Sequence, residues 1–312
     1  MRTQNKNKSE SASDTRTILH MNKDESDSDA RTILRAPSFP LFPAERVGNP
    51  IIRPSRFLQT TVACLTLLLT VPANATDSTQ TVLATPRQNV QSADFRATGH
   101  LIRVDANGAR TSYGITIKAH WFPGVLRVFL AITPPKSTNP GARANILLEM
   151  RPDGQNVIKI AHPGDLAPVI LPFNKWNDGP LGPGFSYEDF LEPQYFWPNQ
   201  TVVEKTKYGA RDCDVLKSTP GAADRTHYAE IRSWLDSTIG FPVYVEKTVK
   251  GTGAVKEFTY FGLRHTGGIW SASQVEVKSR SSTGSTLLIV ERGSAKANLA
   301  LADFSTEQLT HF

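Results

Sequence analysis

Two cysteines in 312 residues leave little room for disulfide or thiol chemistry. Cys64 lies in an apolar run near the N-terminus, and Cys213 sits in "RDCDVL" between two carboxylates. Neighbouring negative charge disfavours the thiolate, so Cys213 reads as a small residue at a strand start and not as a nucleophile. Metal-ligand spacing is missing as well. No two histidines form an HxxxH pair, and the cysteine count excludes a Cys-rich zinc site. The chain has no G-x-S-x-G elbow, no P-loop and no dinucleotide fingerprint. An enzyme therefore has no residues to stand on, and neither a cofactor nor a metal is expected.

Long apolar runs are scarce too. The one present, residues 57–71, is about 15 residues long and diluted by Gln59 and several threonines, whereas a membrane-spanning helix needs roughly 20. Arg53 and Arg56 precede the run, Pro72 ends it, and Ala73-Asn74-Ala75 offers the small residues that signal peptidase reads. Residues 53–75 are thus a secretory signal, with cleavage expected before Thr76 and the periplasm as destination. The alternatives are a retained anchor or lipidation at Cys64, but Cys64 comes too early, with apolar residues 65–69 still to follow. Residues 1–52 are rich in Ser, Asp, Lys and Arg and carry an imperfect duplication, "SDTRTIL" and "SDARTIL". Two copies of so short a unit cannot stack into a repeat fold. The segment is either a disordered extension or the product of a start placed too far upstream, the latter being favoured because an n-region normally opens the chain.

Past the expected cleavage point, residues 76–312 suffice for one large domain. That part holds 25 Lys and Arg against 22 Asp and Glu, a net charge of +3. No basic cluster with interleaved aromatics is present, so nucleic acid is not an expected partner. What the sequence does have is strands. "HLIRV", "YGITIKAHW", "LRVFLAI", "ANILLEM" and "NVIKIA" are followed by "VVEKTKY", "HYAEIRSWL", "PVYVEKTV", "VKEFTYFGL", "SQVEVKSR" and "STLLIVERG". Turn signals such as Asn107-Gly108 and Pro152-Asp153-Gly154 separate them. Helices are expected only around 185–192 and 302–311. Many antiparallel strands with a few short helices define an α+β chain, mainly antiparallel β, in a strongly curved sheet or barrel.

Residues 161–200 depart from this pattern. They contain seven prolines and a dense set of aromatics, from Phe173 and Trp176 to Phe196 and Trp197. A linker would be polar and aromatic-poor, so the segment packs. It either closes the core over the sheet, the favoured reading, or forms a lid over a ligand cavity.

Three phrases carry a family resemblance. "RSWLDSTIGFPVYVEKTVKGTGAVKEFTYFG" at 232–262, "FSYEDF" at 185–190 and "DFSTEQL" at 303–309 resemble, in order and spacing, outer-membrane lipoprotein-sorting proteins of the LolA-like family. The likeness runs over 145–312. Residues 76–144 share only strand character, and the segment 161–200 makes this chain longer. Asp236, Gly240 and Pro242 are folding signals within it: a strand end, a positive-φ position and a strand restart.

The resemblance implies an incomplete, strongly curved β-barrel with short helices over its open side and an apolar hollow for acyl chains. It further implies a non-catalytic periplasmic carrier, with acyl lipid or lipoprotein as cargo, a membrane-protein partner at the inner or outer membrane, and a monomer. A lipid-sensing module on the same fold and a structural envelope domain are the alternatives. The candidate ligand-binding residues are Phe185, Tyr187, Phe190, Trp197 and Trp234.

Overall fold

The computed structural model describes residues 74–135, 143–180, 184–281 and 283–312. Residues 1–52 and most of the expected signal lie outside these. Among the described residues thirteen strands form one antiparallel sheet. They are β1 (Asp94–Val104), β2 (Arg110–Phe122), β3 (Val125–Thr133), β4 (Ala144–Met150), β5 (Val157–Ala161) and β6 (Val169–Ile170). After a long connection come β7 (Asn199–Tyr208), β8 (Arg211–Thr219), β9 (Tyr228–Asp236), β10 (Pro242–Val249), β11 (Val255–Thr266), β12 (Ile269–Ser279) and β13 (Ser285–Ser294).

The strand order is two meanders joined at their outer ends in sequence. β1 pairs with β13, from Arg96 opposite Ser294 to Val104 opposite Ser285. That pairing puts β6 at one edge of the sheet and β7 at the other. Consecutive in the chain but at opposite edges, these two strands leave the sheet open and oblige residues 171–198 to travel from edge to edge.

The crossing segment runs over the inner face. Trp176, Leu191 and Tyr195 join the apolar cluster of β2 to β5, while Phe185 and Trp197 join that of β9 to β12. Trp176, Tyr195 and Trp197 are almost wholly buried. At these three residues the segment closes the core.

Two further elements cover the sheet. Helix α1 (Asn74–Gln91) was not anticipated, because Pro86 lies inside it and half of its residues are Thr, Asn or Gln. Its signal is a stripe at helical spacing, Thr79, Leu83, Pro86 and Val90, all buried. Arg87 Nε donates to the Tyr195 carbonyl at 2.7 Å and ties the helix to the crossing segment. At the C-terminus a 3-10 turn, Leu301–Phe304, leads into α2 (Thr306–Thr310), as expected for 302–311. Phe304 and Leu309 pack with Phe129 and Leu147 on the outer face of β3 and β4. Asn145 Nδ2 donates to the carbonyls of Leu309 and His311, at 3.0 and 2.9 Å.

The expected turn chemistry is present. Asp236 Oδ1 accepts from the backbone of Thr238 at 2.9 Å, and Gly240 adopts a φ of 63° before Pro242 restarts the sheet. A Cβ on Gly240 would also lie 2.5 Å from Thr85 of α1, so close approach and backbone angle both require glycine. Two strands exceed the expectation: β6, and β8, of which only a strand start at Cys213 was foreseen. Burial pushes the Cys213 thiol pKa up, and its Sγ lies 3.7 Å from the Arg211 carbonyl.

Candidate functional site

The site begins with a like-charge conflict. In β10, Val243, Val245, Lys247 and Val249 share the buried face, and in β11 Lys256 and Phe258 do. Lys247 and Lys256 are direct cross-strand partners. Two cations facing each other on the inside of a sheet are destabilising without a counter-ion.

The crossing segment supplies one. "FSYEDF" folds into a single 3-10 turn, Tyr187–Phe190, with Ser186 N and Oγ both donating to Asp189 Oδ2 at 2.8 Å. Asp189 then meets Lys247 Nζ at 3.3 Å and Lys256 Nζ at 3.1 Å, and accepts from the Tyr228 hydroxyl. Lys256 reaches Asn177 Oδ1 and Ser186 Oγ as well, at 2.9 and 3.1 Å. Burial alone would raise the Asp189 pKa, but Lys256 and Lys247, aided by Tyr228 and Ser186, hold it well below the usual carboxylate range. Beside it the Glu188 carboxylate accepts from Thr226 and from the His227 backbone and ring. Two phrases of the family resemblance, 67 residues apart at Asp189 and Lys256, are thus partners in one buried ion cluster.

Beyond this cluster lies a hollow of about 420 Å³. Its walls are Val90 and Ala93 of and after α1, Ile117, Ala119, Leu126 and Val128 of β2 and β3, and Phe258, Val275, Leu288 and Val290 of β11 to β13. Phe185 and Phe190 close it from the crossing segment, edge to face with ring centres 4.5 Å apart. Few charged residues border it. The Asp189 carboxylate is fully buried in the ion cluster, and Arg96, Arg264 and Glu291 are exposed residues at its rim. Glu192 is different: it lines the hollow with part of its surface accessible and makes no ion pair or hydrogen bond among the described residues. Burial raises its pKa, and the charge of Lys247 only partly offsets this.

One mouth of the hollow is a free hairpin tip. β11 pairs with β10 only as far as Thr259, and β12 with β13 only from Gln274 onward, so residues 260–273 pair only with each other within the sheet. Gly262, with a φ of 60°, is left out of the ladder opposite Ser273, while the register stays the same on either side. Arg264, Ile269 and Trp270 of this tip border the hollow.

Of the residues proposed from sequence, Phe185 and Phe190 line the hollow. Tyr187 packs half-buried against the first core cluster, and Trp197 is buried in the second. Trp234 stands on the outer face of β9, edge to face with Tyr244 at 4.9 Å. Lys247, Lys256, Asp189, Tyr228 and Glu192 were not singled out as site residues. A lysine in the apolar phase of an alternating strand, as in "VYVEKTV", is the signal that could have found the first two.

Among the described residues no helix is long and apolar enough to cross a membrane, and no group of three or more His, Cys, Asp or Glu could hold a metal ion. A protein-family model described as "Uncharacterized protein" matches residues 177–311. No curated protein matches the chain. Several solved structures do. A putative outer membrane lipoprotein-sorting protein domain from Vibrio parahaemolyticus superposes with a TM-score of 0.67 at 18% identity, over 75% of this chain and 99% of that one. A DUF1329 family protein from Desulfovibrio piger gives 0.63 at 14% identity, covering 74% and 98%. A LolA superfamily protein from Nitrosomonas europaea gives 0.54 at 14%, covering 74% and 99%. The likeness therefore extends well beyond the 145–312 stretch legible in sequence, and the open curved sheet of this chain has the LolA-superfamily fold.

Proposed function

We propose that this protein is a non-catalytic periplasmic carrier that binds the acyl chains of lipids or lipoproteins in its hollow. The observation that carries the reading is the hollow itself, apolar on its walls, of about 420 Å³, within the roughly 300–1,000 Å³ typical of ligand pockets. Burying an acyl chain there contributes about 0.8 kcal/mol per CH₂, so a modest length of chain supplies useful affinity. A structural envelope domain with a fully packed sheet has no use for such a space. The LolA-superfamily fold and the lipoprotein-sorting description of the Vibrio relative support the same cargo class. Export through the signal at 53–75, a membrane-protein partner and a monomeric state belong to this proposal.

Solvent extraction and mass spectrometry of protein purified from the periplasm tests it, with bound acyl lipid as the expected result and reproducibly empty protein as the opposing one. N-phenylnaphthylamine, a neutral dye that brightens in apolar surroundings, gives a second test. It should bind the wild type and bind Phe190→Ala more weakly, with the urea midpoint changing less than it does for a core truncation.

A further inference from the structure

The walls of the hollow are largely apolar, but several polar side chains that line it, Asn89 with its Nδ2 among them, have no hydrogen-bond partner among the described residues. Glu192 lines it without an ion pair or hydrogen bond among the described residues, and so does the hydroxyl-bearing Tyr260 of β11. The two sense each other electrostatically, since the charge of Glu192, after burial, is the leading cause that raises the Tyr260 pKa. Tyr195 is also within reach of that charge. Glu192 keeps part of its surface accessible, so its carboxyl is open to a donor brought by a ligand.

We propose that Glu192 and Tyr260 form a polar pole that selects amphiphiles bearing a hydroxyl or amine next to their apolar chain and disfavours fatty-acid carboxylates. The inference rests on the carrier reading above and specifies its cargo. A hydroxyl donates to the Glu192 carboxyl in either protonation state. An ammonium makes a charge-assisted bond and restores the ionised form. A ligand carboxylate instead brings a like charge to a group already reluctant to ionise. The nearby cations do not rescue it: Lys247 and Lys256 are buried and committed to Asp189. Arg96 and Arg264 stand exposed at the rim, with Arg96 facing Asp303 at 3.5 Å and Glu291 adding opposite charge.

Titrating the full chain with dodecanol, dodecylamine and laurate at neutral pH, each below its micellar concentration, reads this directly by calorimetry. Dodecanol and dodecylamine should bind at least about tenfold more tightly than laurate, the equivalent of one pKa unit of differential interaction. Glu192→Gln should keep dodecanol binding and lose most of the preference for the amine over laurate. Tyr260→Phe, which removes only the hydroxyl, should weaken dodecanol. Laurate binding as tightly as dodecanol, or an unchanged preference in Glu192→Gln, overturns the polar pole while leaving the acyl carrier intact. If none of the three probes binds, the carrier reading falls and the pole with it.

Discussion

The two halves of the sheet solve the same problem in opposite ways. In the first meander every residue of β4 is buried, because the crossing segment and the first core cluster cover one face and α2 covers the other. Its sequence, "ANILLEM", accordingly lacks alternation. In β10 of the second meander only one face is buried, and "PVYVEKTV" alternates. The inner face there carries lysines, a hollow and half-exposed apolar residues such as Val275 and Leu288. The hollow lies between the two halves, with Ile117, Ala119, Leu126 and Val128 on the first and Val275, Leu288 and Val290 on the second. The crossing segment joins them, apolar at Trp176 and ionic at Asp189.

Breaking the ionic contact should give the largest effect. Asp189→Asn leaves Lys247 and Lys256 facing each other without a carboxylate, and loss of one partner from a buried pair costs about 3–5 kcal/mol. Urea unfolding at neutral pH should show it. The pH dependence has a defined sign. Asp189 is held below the ordinary carboxylate range in the folded state, so its stabilisation is complete above the unfolded pKa of about 4 and is lost as pH falls toward the folded value. The gap between wild type and variant should narrow below that pH. A constant gap down to strong acid would show that the carboxylate is not what the variant loses.

Truncation sharpens the contrast between the halves. Leu148→Ala in β4 should cost about 2–5 kcal/mol, since the residue has no exposed surface. Leu288→Ala at the hollow should fall below that range, because part of its surface already lacks packed neighbours. Equal losses in parallel urea titrations would mean that the hollow is closed in solution.

Gly262→Ala should cost about 1 kcal/mol or more, as the new Cβ would meet Ser273 Oγ at 2.0 Å at a positive φ. Hydrogen exchange should rise first in residues 260–273. Exchange rising equally across β9 and β10 would argue against an independent hairpin tip.

The smallest effect is expected at Trp234→Ala. A tryptophan buried in the core would be worth about 3–5 kcal/mol. On the outer face beside Tyr244 it should cost only about 1 kcal/mol, the scale of one aromatic pair. A larger loss by thermal melting would show that Trp234 is packed as a core residue.

Much of the architecture was legible because its signals are local. Period-two alternation marks β10, Asp236-Gly240-Pro242 marks the bend before it, and "DFSTEQL" marks the C-terminal turn. Helix α1 was hidden because its buried stripe is narrow and uses Thr79 and Pro86. The candidate site was barely legible. Phe185 and Phe190 stood out as aromatics, but nothing local separates them from Trp197, which is core, or from Trp234, which faces outward. The crossing segment's density of proline and aromatics spoke for packing, yet not for the face on which it packs.

By itself the sequence determined most of the strands, their turns, and a resemblance to the lipoprotein-sorting family. These depend on neighbours within a few residues, and chain order preserves them. Only the tertiary structure decided that β1 meets β13, that β6 and β7 become opposite edges, and that Lys247, Lys256 and Asp189 converge. Register and crossing are long-range events. They bring together charges 58 and 67 residues apart, and leave Glu192 lining a hollow without an ion pair or hydrogen bond among the described residues.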